Sequence, residues 1–361
     1  MSDDQTQKIL ELVSTAISDN KTLSIHASGS HDSIQPDFRE SIQLDLQTHS
    51  GILDYQPTEL NIKARAGTTI SEIKQTLSQH QQRLPTDFIA HSPSATLGGA
   101  IAVGQSGSSR PFQGAIRDHI LGASLIDGRA ELLHCGGQVM KNVAGYDVSR
   151  LLTGSLGTLG PILDLTIKVL PVAEQFITLS LEQSEDQAIQ LMNRLAGRPL
   201  PIAASLYYEN TLYIRLEGIA SGVQNAREVI GGESIQNPQV FWDSIQQQQH
   251  LFFQSTTPLW RVVTPTSQPA FKLQNQEDMM IDWCGGLRWI SARQITAQDI
   301  QFIQDIGGSI QPFRYVPGDL NWKPYRQISA LSQDMQRKVK KAFDPQHLFN
   351  PRLSMFFFDA Q

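Results

Sequence analysis

The first half of the chain has the alternation of apolar and polar residues that short β-strands produce. In LNIKARAG at 60–67 every second side chain is apolar, which is the period of a half-buried strand. The segment ILDLTIKVL at 162–170 repeats this period. Between these two segments, Asp127-Gly128 separates two apolar runs and predicts a hairpin, since both residues tolerate positive φ.

Other segments have the spacing of apolar residues that helices produce. Thr69 and Glu72 match a capping box, and the apolar face of the helix that follows begins at Ile70. In the second half, SEDQAIQLMNRLAG and GVQNAREVIGG predict amphipathic helices, and NTLYIRLEG between them predicts a strand. A final helix before Pro345 is predicted by four apolar residues at steps of four: Leu331, Met335, Val339 and Phe343. The mixture indicates an α+β protein, and 361 residues indicate two domains.

Composition narrows the class of partner. The chain has 29 basic and 35 acidic residues and a net charge of -6, so no overall positive charge favours nucleic acid or an anionic membrane. Cys135 and Cys284 are too few for a zinc site or a disulfide framework, which fits a reducing, cytoplasmic environment. No apolar run approaches the roughly 18 residues of a membrane-spanning helix, so we expect no direct membrane insertion. Small molecules and proteins are the expected partners.

Glycines cluster at 91–122 and 137–160, where they can serve a cofactor or simply mark turns. A buried diphosphate needs converging N–H donors, and glycine lets the backbone approach it. Two familiar nucleotide motifs are excluded. The segment from Gly99 to Ser106 has Walker A spacing but carries Gln105 in place of the lysine, and GSLGTLG at 154–160 precedes a strand instead of the helix of a Rossmann fingerprint.

Four segments, in this order and spacing, resemble the FAD-binding E subunits of bacterial glycolate oxidases: ATLGGAIAVGQSG, GAIRDHILGASLIDG, GGQVMKNVAGYDVSRLLTGSLGTLG and TIKVLP. Those subunits belong to the vanillyl-alcohol oxidase/p-cresol methylhydroxylase group of flavoproteins. The similarity continues through VFWDSI, PLWRVVTP, IDWCGGLRW and VKKAFDPQHLFNP, and so covers nearly the whole chain. It implies an α+β fold with a two-part FAD-binding domain at 1–172, a smaller α+β cap domain at 173–330, and a C-terminal segment at 331–361 that packs back on the FAD domain.

The resemblance also implies which residues line the FAD site. Residues 95–99 and 104–107 would wrap the pyrophosphate and ribityl portion of FAD, and the loop IHASGSH at 25–31 would add its glycine and the serine that follows. The expected cofactor-binding residues are Gly29, Ser30, Pro93, Ala95, Thr96, Leu97, Gly98, Gly99, Gly104, Ser106, Gly107, Asp118, Lys141, Asn142, Gly145, Tyr146, Gly157 and Gly160.

Ser30 fills the place at which some relatives attach FAD through a histidine, so noncovalent FAD is implied. Three features depart from the family pattern. The early loop is IHASGSH at 25–31, where the family usually has a loop that is richer in glycine and ends in Ser-Lys. Pro161 follows GTLG, where the family usually has Ile or Val, and offers no backbone N–H to the cofactor. Arg352 replaces the usual glycine after Pro351. These departures leave open a second hypothesis, in which the chain is a structural scaffold that binds FAD weakly or not at all.

The resemblance implies an enzyme subunit that takes part in oxidising glycolate, or a similar 2-hydroxy acid, to the 2-oxo acid. The implied partners are a sister FAD subunit and an iron–sulfur subunit, because two cysteines cannot hold a four-cysteine cluster. The His-x-Gly-Asp-Gly-Asn segment of related metal-dependent dehydrogenases is absent, so no metal is expected here and the main oxidation is expected in the sister subunit. Arg261 and Arg288 are candidates for holding a substrate carboxylate; the alternative is that they pair locally beside tryptophan anchors.

Overall fold

The computed structural model describes residues 4–29, 41–90, 92–137, 148–314, 330–351 and 353. The chain forms two compact units. The first unit comprises Met1–Ser106, Ala115–Val172 and Tyr325–Gln361, and the second comprises Gly107–Gly114 and Ala173–Pro324. The division at residue 172 lies where the sequence places it. The short excursion of residues 107–114 into the second unit has no counterpart in the sequence-based boundaries, and the return to the first unit begins at 325 instead of 331.

The helices and strands follow one another along the chain in two groups. Up to residue 172 they are α1 Thr6–Ser18, β1 Leu23–His26, β2 Ile42–Asp45, β3 Ile52–Gln56, β4 Asn61–Arg65, α2 Ile70–Ser78, β5 Gln82–Arg83, α3 Leu97–Val103, α4 Arg110–Gln113, β6 Ile120–Ile126, β7 Leu132–Gly136, α5 Val148–Leu151, β8 Ile162–Lys168 and β9 Leu170–Pro171. After it they are β10 Gln175–Glu182, α6 Glu185–Ala196, β11 Ile202–Tyr208, β12 Thr211–Gly218, α7 Ala220–Ile230, β13 Glu233–Ser234, α8 Pro238–Gln246, β14 Leu259–Val263, β15 Gln276–Asp282, β16 Leu287–Ala292, α9 Ala297–Asp305, β17 Ser309–Arg314 and α10 Ala330–Phe343.

A five-stranded antiparallel sheet with the order β3-β4-β8-β6-β7 forms the centre of the first unit. Strands β4 and β8 confirm the two period-two patterns: Ile62 pairs with Ile167, and both side chains are buried. The polar face of β4 is also covered, which the pattern does not predict. Arg65 is only 7% exposed, and its guanidinium donates to Asp4 Oδ2 at 2.9 Å. The N-terminal residues therefore shield a face that alternation alone assigns to solvent.

Helix α2 forms as its sequence predicts. Thr69 Oγ1 accepts a hydrogen bond from the Glu72 N–H at 3.1 Å, which caps the first turn. Ile70, Ile73 and Leu77 are all buried and pack into the core beneath the five-stranded sheet. Because these three side chains lie on one face of α2, the helix is fixed against the sheet along its whole length.

The hairpin predicted at Asp127-Gly128 joins β6 to β7, but its loop is longer than two residues. The left-handed position is taken by Ala130, with φ 59°, and not by Asp127 or Gly128. The Asp127 carboxylate organises the loop by accepting from the backbone N–H groups of Arg129 and Glu131 at 2.8 and 3.0 Å. The aspartate therefore acts through its side chain, as in an Asx turn, instead of through its backbone conformation.

A separate small sheet pairs β1 with β2 in parallel. Helix α1 packs against it, with Ile9 and Val13 buried in the same cluster as Leu23. The C-terminal tail, residues 344–353, runs beside β1, where the Leu23 N–H donates to the Leu348 carbonyl at 2.8 Å. The end of the chain is therefore part of the same layer as its beginning.

An eight-stranded sheet with the order β13-β10-β12-β11-β15-β16-β14-β17 forms the second unit. The two helices and the strand predicted after residue 183 are confirmed as α6, α7 and β12. Helix α6 begins with a capping box in which the Ser184 N–H donates to Gln187 Oε1 at 3.1 Å. Gly197 follows its last residue, as expected for a helix end.

Helix α10 confirms the final predicted helix, but its buried face differs from the expected apolar stripe. Leu331 and Met335 are 73% and 55% exposed. Val339 and Phe343 do pack against the core of the first unit. The most buried side chain of the helix is instead Lys340, at 2% exposure, which no hydrophobic pattern selects.

A buried histidine in the first unit gives a pH-dependent prediction. His49 is 1% exposed, and its Nδ1 accepts from the Gln5 N–H at 3.1 Å. Burial lowers the pKa of His49 below its ordinary value of about 6.5, and the Arg65 charge lowers it further, against the opposing effect of Asp4. Below pH 6.5 the unfolded chain therefore binds more protons at His49 than the folded chain does, so stability decreases as the pH falls.

Changing His49 to asparagine keeps an acceptor near the Gln5 N–H and removes this titration. We expect wild type to lose up to about 1.4 kcal/mol of unfolding free energy per pH unit below 6.5 relative to His49→Asn. Urea unfolding at pH 5, 6 and 7 measures the difference, with the exposed His80→Asn as the matched control. Parallel pH profiles for wild type and His49→Asn would contradict the assignment.

Candidate functional site

A cavity in the first unit brings together residues from separate parts of the chain. It holds about 820 Å³ of empty space, part of it open to solvent, and its lining is mostly apolar. Its walls come from residues 25–29, which we call the first wall, from residues 156–160, the second wall, from one side of α3, and from Leu353 of the C-terminal tail.

The first wall is the end of β1 and the turn that follows it. The Ile25 N–H donates to Asn350 Oδ1 at 2.8 Å, which ties the strand end to the C-terminal tail. His26 lines the cavity, and its Nδ1 lies 4.0 Å from Asp45 Oδ1 on the neighbouring strand β2. Gly29 has φ 68°, a left-handed conformation that glycine adopts without strain. The wall is thus held from both sides before it turns at Gly29.

Helix α3 contributes a third side of the cavity through its first turn. The Leu97 and Gly98 N–H groups donate to the backbone carbonyls of Thr68 and Ala66, each at 2.8 Å. The Gly99 N–H donates to Thr96 Oγ1 at 3.2 Å. These three N–H groups donate to acceptors within the protein. They are therefore not free to donate to a pyrophosphate, as the expected role of residues 95–99 would require.

Gly98 is required by packing against the neighbouring strand. A Cβ atom at this position would lie 2.6 Å from the Ala66 Cβ, too close for the backbone of α3 to keep its place. Gly104, which caps the end of α3 with φ 69°, similarly approaches the Gly154 N–H, and a Cβ there would lie 2.7 Å from that nitrogen. In both cases the close neighbour is protein backbone or side chain, so cofactor approach is not the sole reason for the glycine cluster.

The second wall also depends on glycine. Gly157 has φ 70°, and a Cβ there would lie 2.8 Å from Asn350 Nδ2. Gly160 has φ 142°, and a Cβ there would clash with the Ile126 carbonyl oxygen. The wall therefore fits between the C-terminal tail on one side and the end of β6 on the other.

Buried polar atoms near the second wall provide a test of whether the site suits a polar cofactor. Gln105 Oε1, Thr153 Oγ1 and Ser155 Oγ are buried and have no hydrogen-bond partner in the part of the chain that the structure describes. Such groups cost roughly 1–3 kcal/mol each when they are left unpaired. Ser155 directly precedes Leu156 of the second wall, but none of these three residues lines the cavity. The fit of the cavity to FAD therefore rests on its apolar lining and on the glycines at which the backbone can approach a ligand.

The structure brings together some of the residues expected at the FAD site and separates others. Those that line the cavity are Gly29, Thr96, Gly98, Gly99, Gly157 and Gly160. Those that do not are Pro93, Ala95, Leu97, Gly104, Ser106, Gly107 and Asp118. Ser30, Lys141, Asn142, Gly145 and Tyr146 lie outside the described residues. Their roles remain predictions.

Local contacts explain several of the residues that do not line the cavity. The Asp118 carboxylate accepts from the Ala115 N–H at 2.9 Å and so caps a turn. Ser106 Oγ accepts from the Ile116 N–H at 3.1 Å. Gly107 belongs to the second unit, where its carbonyl accepts from Trp283 Nε1 at 2.9 Å. Each of these residues has a structural role that a motif cannot distinguish from cofactor binding.

Sequence reasoning missed most of the apolar lining. The missed residues are Leu46, Ala66, Ala102, Val103, Leu156, Ile162 and Leu353. Helical spacing offered one signal, because Ala102 and Val103 follow Gly99 by three and four residues and so share its face of α3. Leu353 had no such signal, because it reaches the cavity only through the pairing of the tail with β1.

In the second unit, two arginines pack on one tryptophan. The guanidinium carbons of Arg110 and Arg261 lie 4.2 and 4.9 Å from the ring centroid of Trp283. Trp283 and Cys284 both have positive φ, at 51° and 57°, and Gly285 follows at 96°. Strained backbone of this kind is frequent at ligand sites. The cluster of Arg110, Arg261 and Trp283, which we call the arginine cluster, combines two positive charges with an aromatic face.

Arg288 has a different environment. Its side chain is fully buried, and its two terminal nitrogens donate to the Gly285 carbonyl at 2.8 Å, to the Gln268 carbonyl at 2.6 Å and to Thr264 Oγ1. Burial lowers the pKa of Arg288 to about 10, which the Glu185 charge partly opposes. Because its fork is occupied by protein oxygens, Arg288 holds a turn together. A role of Arg261 in substrate binding stays a prediction.

The described part of the chain contains no group of three or more side chains placed to hold a metal ion. Among the same residues, no helix is both long enough and apolar enough to cross a membrane.

Comparisons with known proteins agree with this arrangement. Residues 4–136 match the family described as FAD binding domain. The glycolate oxidase subunit GlcE of Escherichia coli (strain K12) is 38% identical over 349 residues, which are 96% of this chain and 97% of that protein. The glycolate oxidase subunit GlcD of Bacillus subtilis (strain 168) is 31% identical over 122 residues, 33% of this chain and 26% of that protein.

Solved structures extend the comparison to the whole fold. A structure of alkyldihydroxyacetonephosphate synthase superimposes with a TM-score of 0.67 and 16% sequence identity, covering 96% of this chain and 75% of that one. At this identity the match shows the fold alone. It confirms the α+β architecture.

Proposed function

The chain belongs to the family of glycolate oxidase subunits represented by GlcE, and from this premise we propose that its FAD occupies the cavity between the first and second walls. It is a flavin-dependent oxidoreductase subunit with FAD as its cofactor. The observation that supports the location is the cavity itself, which gathers glycines from three separate segments of the FAD-binding unit. The cofactor is held without a covalent bond.

Apolar side chains and glycines contribute to FAD binding in different ways. The apolar side chains of α3, Leu46 and Leu353 exclude water from the cavity, and the glycines of the second wall let its backbone approach a ligand. When bound, FAD supplies the acceptor for the two electrons of an alcohol oxidation.

We propose that the substrate is glycolate or a similar 2-hydroxy acid, which leaves as the 2-oxo acid. A small carboxylate is held by a cation with directed donors, and the arginine cluster places two guanidinium groups over the Trp283 ring in the second unit. Electrons then pass to an iron–sulfur subunit, since the chain's two cysteines cannot bind a cluster. A sister FAD subunit carries out the main oxidation, and the flavin of this chain serves as a relay or second site. Rapid glycolate turnover by the isolated chain would refute this division of labour.

The test is the flavin content of the purified chain. We expect close to one FAD per chain, released by heat denaturation and visible in the absorption spectrum before release. A folded, colourless protein that stays colourless with added FAD would reject the flavin site and support the scaffold hypothesis. Flavin that remains attached after denaturation would reject noncovalent binding.

The role of Arg261 is tested by substrate binding instead of turnover, because turnover would also report the sister subunit. Arg261→Lys keeps the charge but removes the planar fork, so we expect about 10-fold weaker glycolate binding. Isothermal titration calorimetry with glycolate measures the dissociation constant. Arg293→Lys is the matched control, because Arg293 is exposed and pairs with Glu277 at 2.8 Å. Unchanged glycolate binding in Arg261→Lys, with impaired assembly, would assign Arg261 to a subunit interface.

A further inference from the structure

Asn350 connects the two walls of the cavity. Its Oδ1 accepts from the Ile25 N–H in the first wall at 2.8 Å, and its Nδ2 donates to the Leu156 carbonyl in the second wall at 2.8 Å. The side chain is 1% exposed. One amide group therefore bridges two segments that lie 131 residues apart in the chain, using one acceptor and one donor.

The backbone of Asn350 is held as firmly as its side chain. Its N–H donates to the Leu23 carbonyl at 2.9 Å, and its carbonyl accepts from the Leu353 N–H at 3.0 Å. Its φ of 43° is left-handed, a conformation that asparagine tolerates better than other residues with a side chain. The same contacts bring Leu353 to the cavity.

The approach of Asn350 also explains Gly157. Nδ2 would lie 2.8 Å from a Cβ atom at that position, so the amide occupies the space that any other residue would need. Lys340 and Asp344 complete the anchorage, because they bind the carbonyl and the N–H of the neighbouring Phe349. The buried Lys340–Asp344 ion pair thus fixes the tail before Asn350, and Leu353 lines the cavity after it.

We propose that Asn350 is a positioning residue for FAD, which sets the separation of the first and second walls and so presents the cavity in its binding-competent shape. The Asn350 amide links the two walls through one hydrogen bond to each of them. The inference rests on the proposed location of FAD. It predicts that the link controls FAD affinity beyond its effect on the stability of the fold.

The decisive variant is Asn350→Asp, which has the same shape. An ionised carboxylate can accept from the Ile25 N–H but repels the Leu156 carbonyl, whereas a protonated carboxyl group can donate to that carbonyl and restore the link. Burial raises the pKa of such a carboxyl group. We expect FAD binding by Asn350→Asp to be about 10–100-fold weaker than wild type at pH 8 and to approach wild type near pH 5.

Asn350→Leu fills the same space with no polar atoms and should bind FAD weakly at both pH values. Asn193→Asp is the matched control, because the Asn193 amide donates to the carbonyls of Ile189, Thr266 and Cys284 in the second unit, far from either wall in the chain. The FAD dissociation constant is measured by the quenching of FAD fluorescence when apoprotein is added. Dividing the value for each variant by the wild-type value at the same pH removes any pH dependence that all variants share. The unfolding midpoint of each apoprotein is measured in the same buffers.

A lower FAD affinity for Asn350→Asp that recovers as the pH falls, with no such recovery in Asn350→Leu, supports the positioning role. An unchanged FAD dissociation constant in Asn350→Asp overturns this role. The role is also overturned if FAD affinity decreases only in proportion to apoprotein stability, with the same proportion in Asn193→Asp. If wild-type protein itself fails to bind FAD, the proposed function fails and not this inference alone. The two failures are therefore distinguishable.

Discussion

Replacing Lys340 by methionine is expected to lower the free energy of unfolding by about 3–5 kcal/mol, because the change leaves a buried carboxylate without its cation. The Lys340 Nζ lies 2.6 Å from Asp344 Oδ2, and their side chains are 2% and 0% exposed. Nζ also donates to the carbonyls of Thr158 and Phe349 at 2.5 and 3.1 Å. All three ammonium protons thus have acceptors, and removing them leaves two carbonyls without this donor and one buried carboxylate without its counter-ion.

The partner carboxylate explains why the loss cannot be relieved locally. Asp344 accepts from the N–H groups of Leu348 and Phe349 at 2.8 and 2.9 Å, which fixes its position in the tail. Adding Asp344→Asn to Lys340→Met removes the stranded charge, so we expect the double variant to be more stable than Lys340→Met alone. Chemical denaturation of the three variants and wild type measures this coupling.

Lys338→Met is the matched control for the same helix and the same substitution. Lys338 pairs with Asp334 at 2.8 Å, but the two side chains are 70% and 50% exposed. An exposed pair of this kind contributes at most about 1 kcal/mol. Similar losses for Lys338→Met and Lys340→Met would show that the ion pair of the tail is not buried as the structure has it.

This ion pair illustrates what hydrophobic periodicity could predict and what it could not. The helix itself was predictable, because four apolar residues recur at steps of four. Two of these, Leu331 and Met335, are exposed, and the buried position belongs to Lys340. A local pattern does not reveal that residues from 158 and 349 would surround one lysine, since that depends on tertiary contacts.

The cavity shows the same division between local and long-range information. The glycine clusters and the family resemblance select Gly157 and Gly160 as cofactor-binding residues, and both line the cavity. They assigned the same role to Gly104 and Asp118, which a cap and a turn account for. A glycine required for backbone packing and one required by a cofactor have the same letter in the sequence. Only the neighbouring atoms distinguish the two.

Gly160→Ala is expected to have the second large effect, on both stability and FAD content. Gly160 has φ 142°, a conformation that an alanine adopts only with strain, and the added Cβ would clash with the Ile126 carbonyl. Strain and overpacking each cost about 1–3 kcal/mol, so we expect a loss of roughly 3–5 kcal/mol in unfolding free energy. The second wall must move away from β6 to relieve the clash, and we expect most of the bound FAD to be lost with it.

Gly154→Ala separates strain from steric clash in the same glycine-rich segment. Gly154 has φ 80°, yet an added Cβ would meet no atom within 4 Å. Only the cost of the left-handed backbone conformation remains, so we expect a loss of about 1–2 kcal/mol in unfolding free energy, and the second wall keeps its place. Unfolding free energies and released FAD, measured for both variants, test the argument. If Gly160→Ala retains wild-type FAD content, or if Gly154→Ala loses as much as Gly160→Ala, then the contact of Gly160 with the Ile126 carbonyl does not determine the position of the second wall.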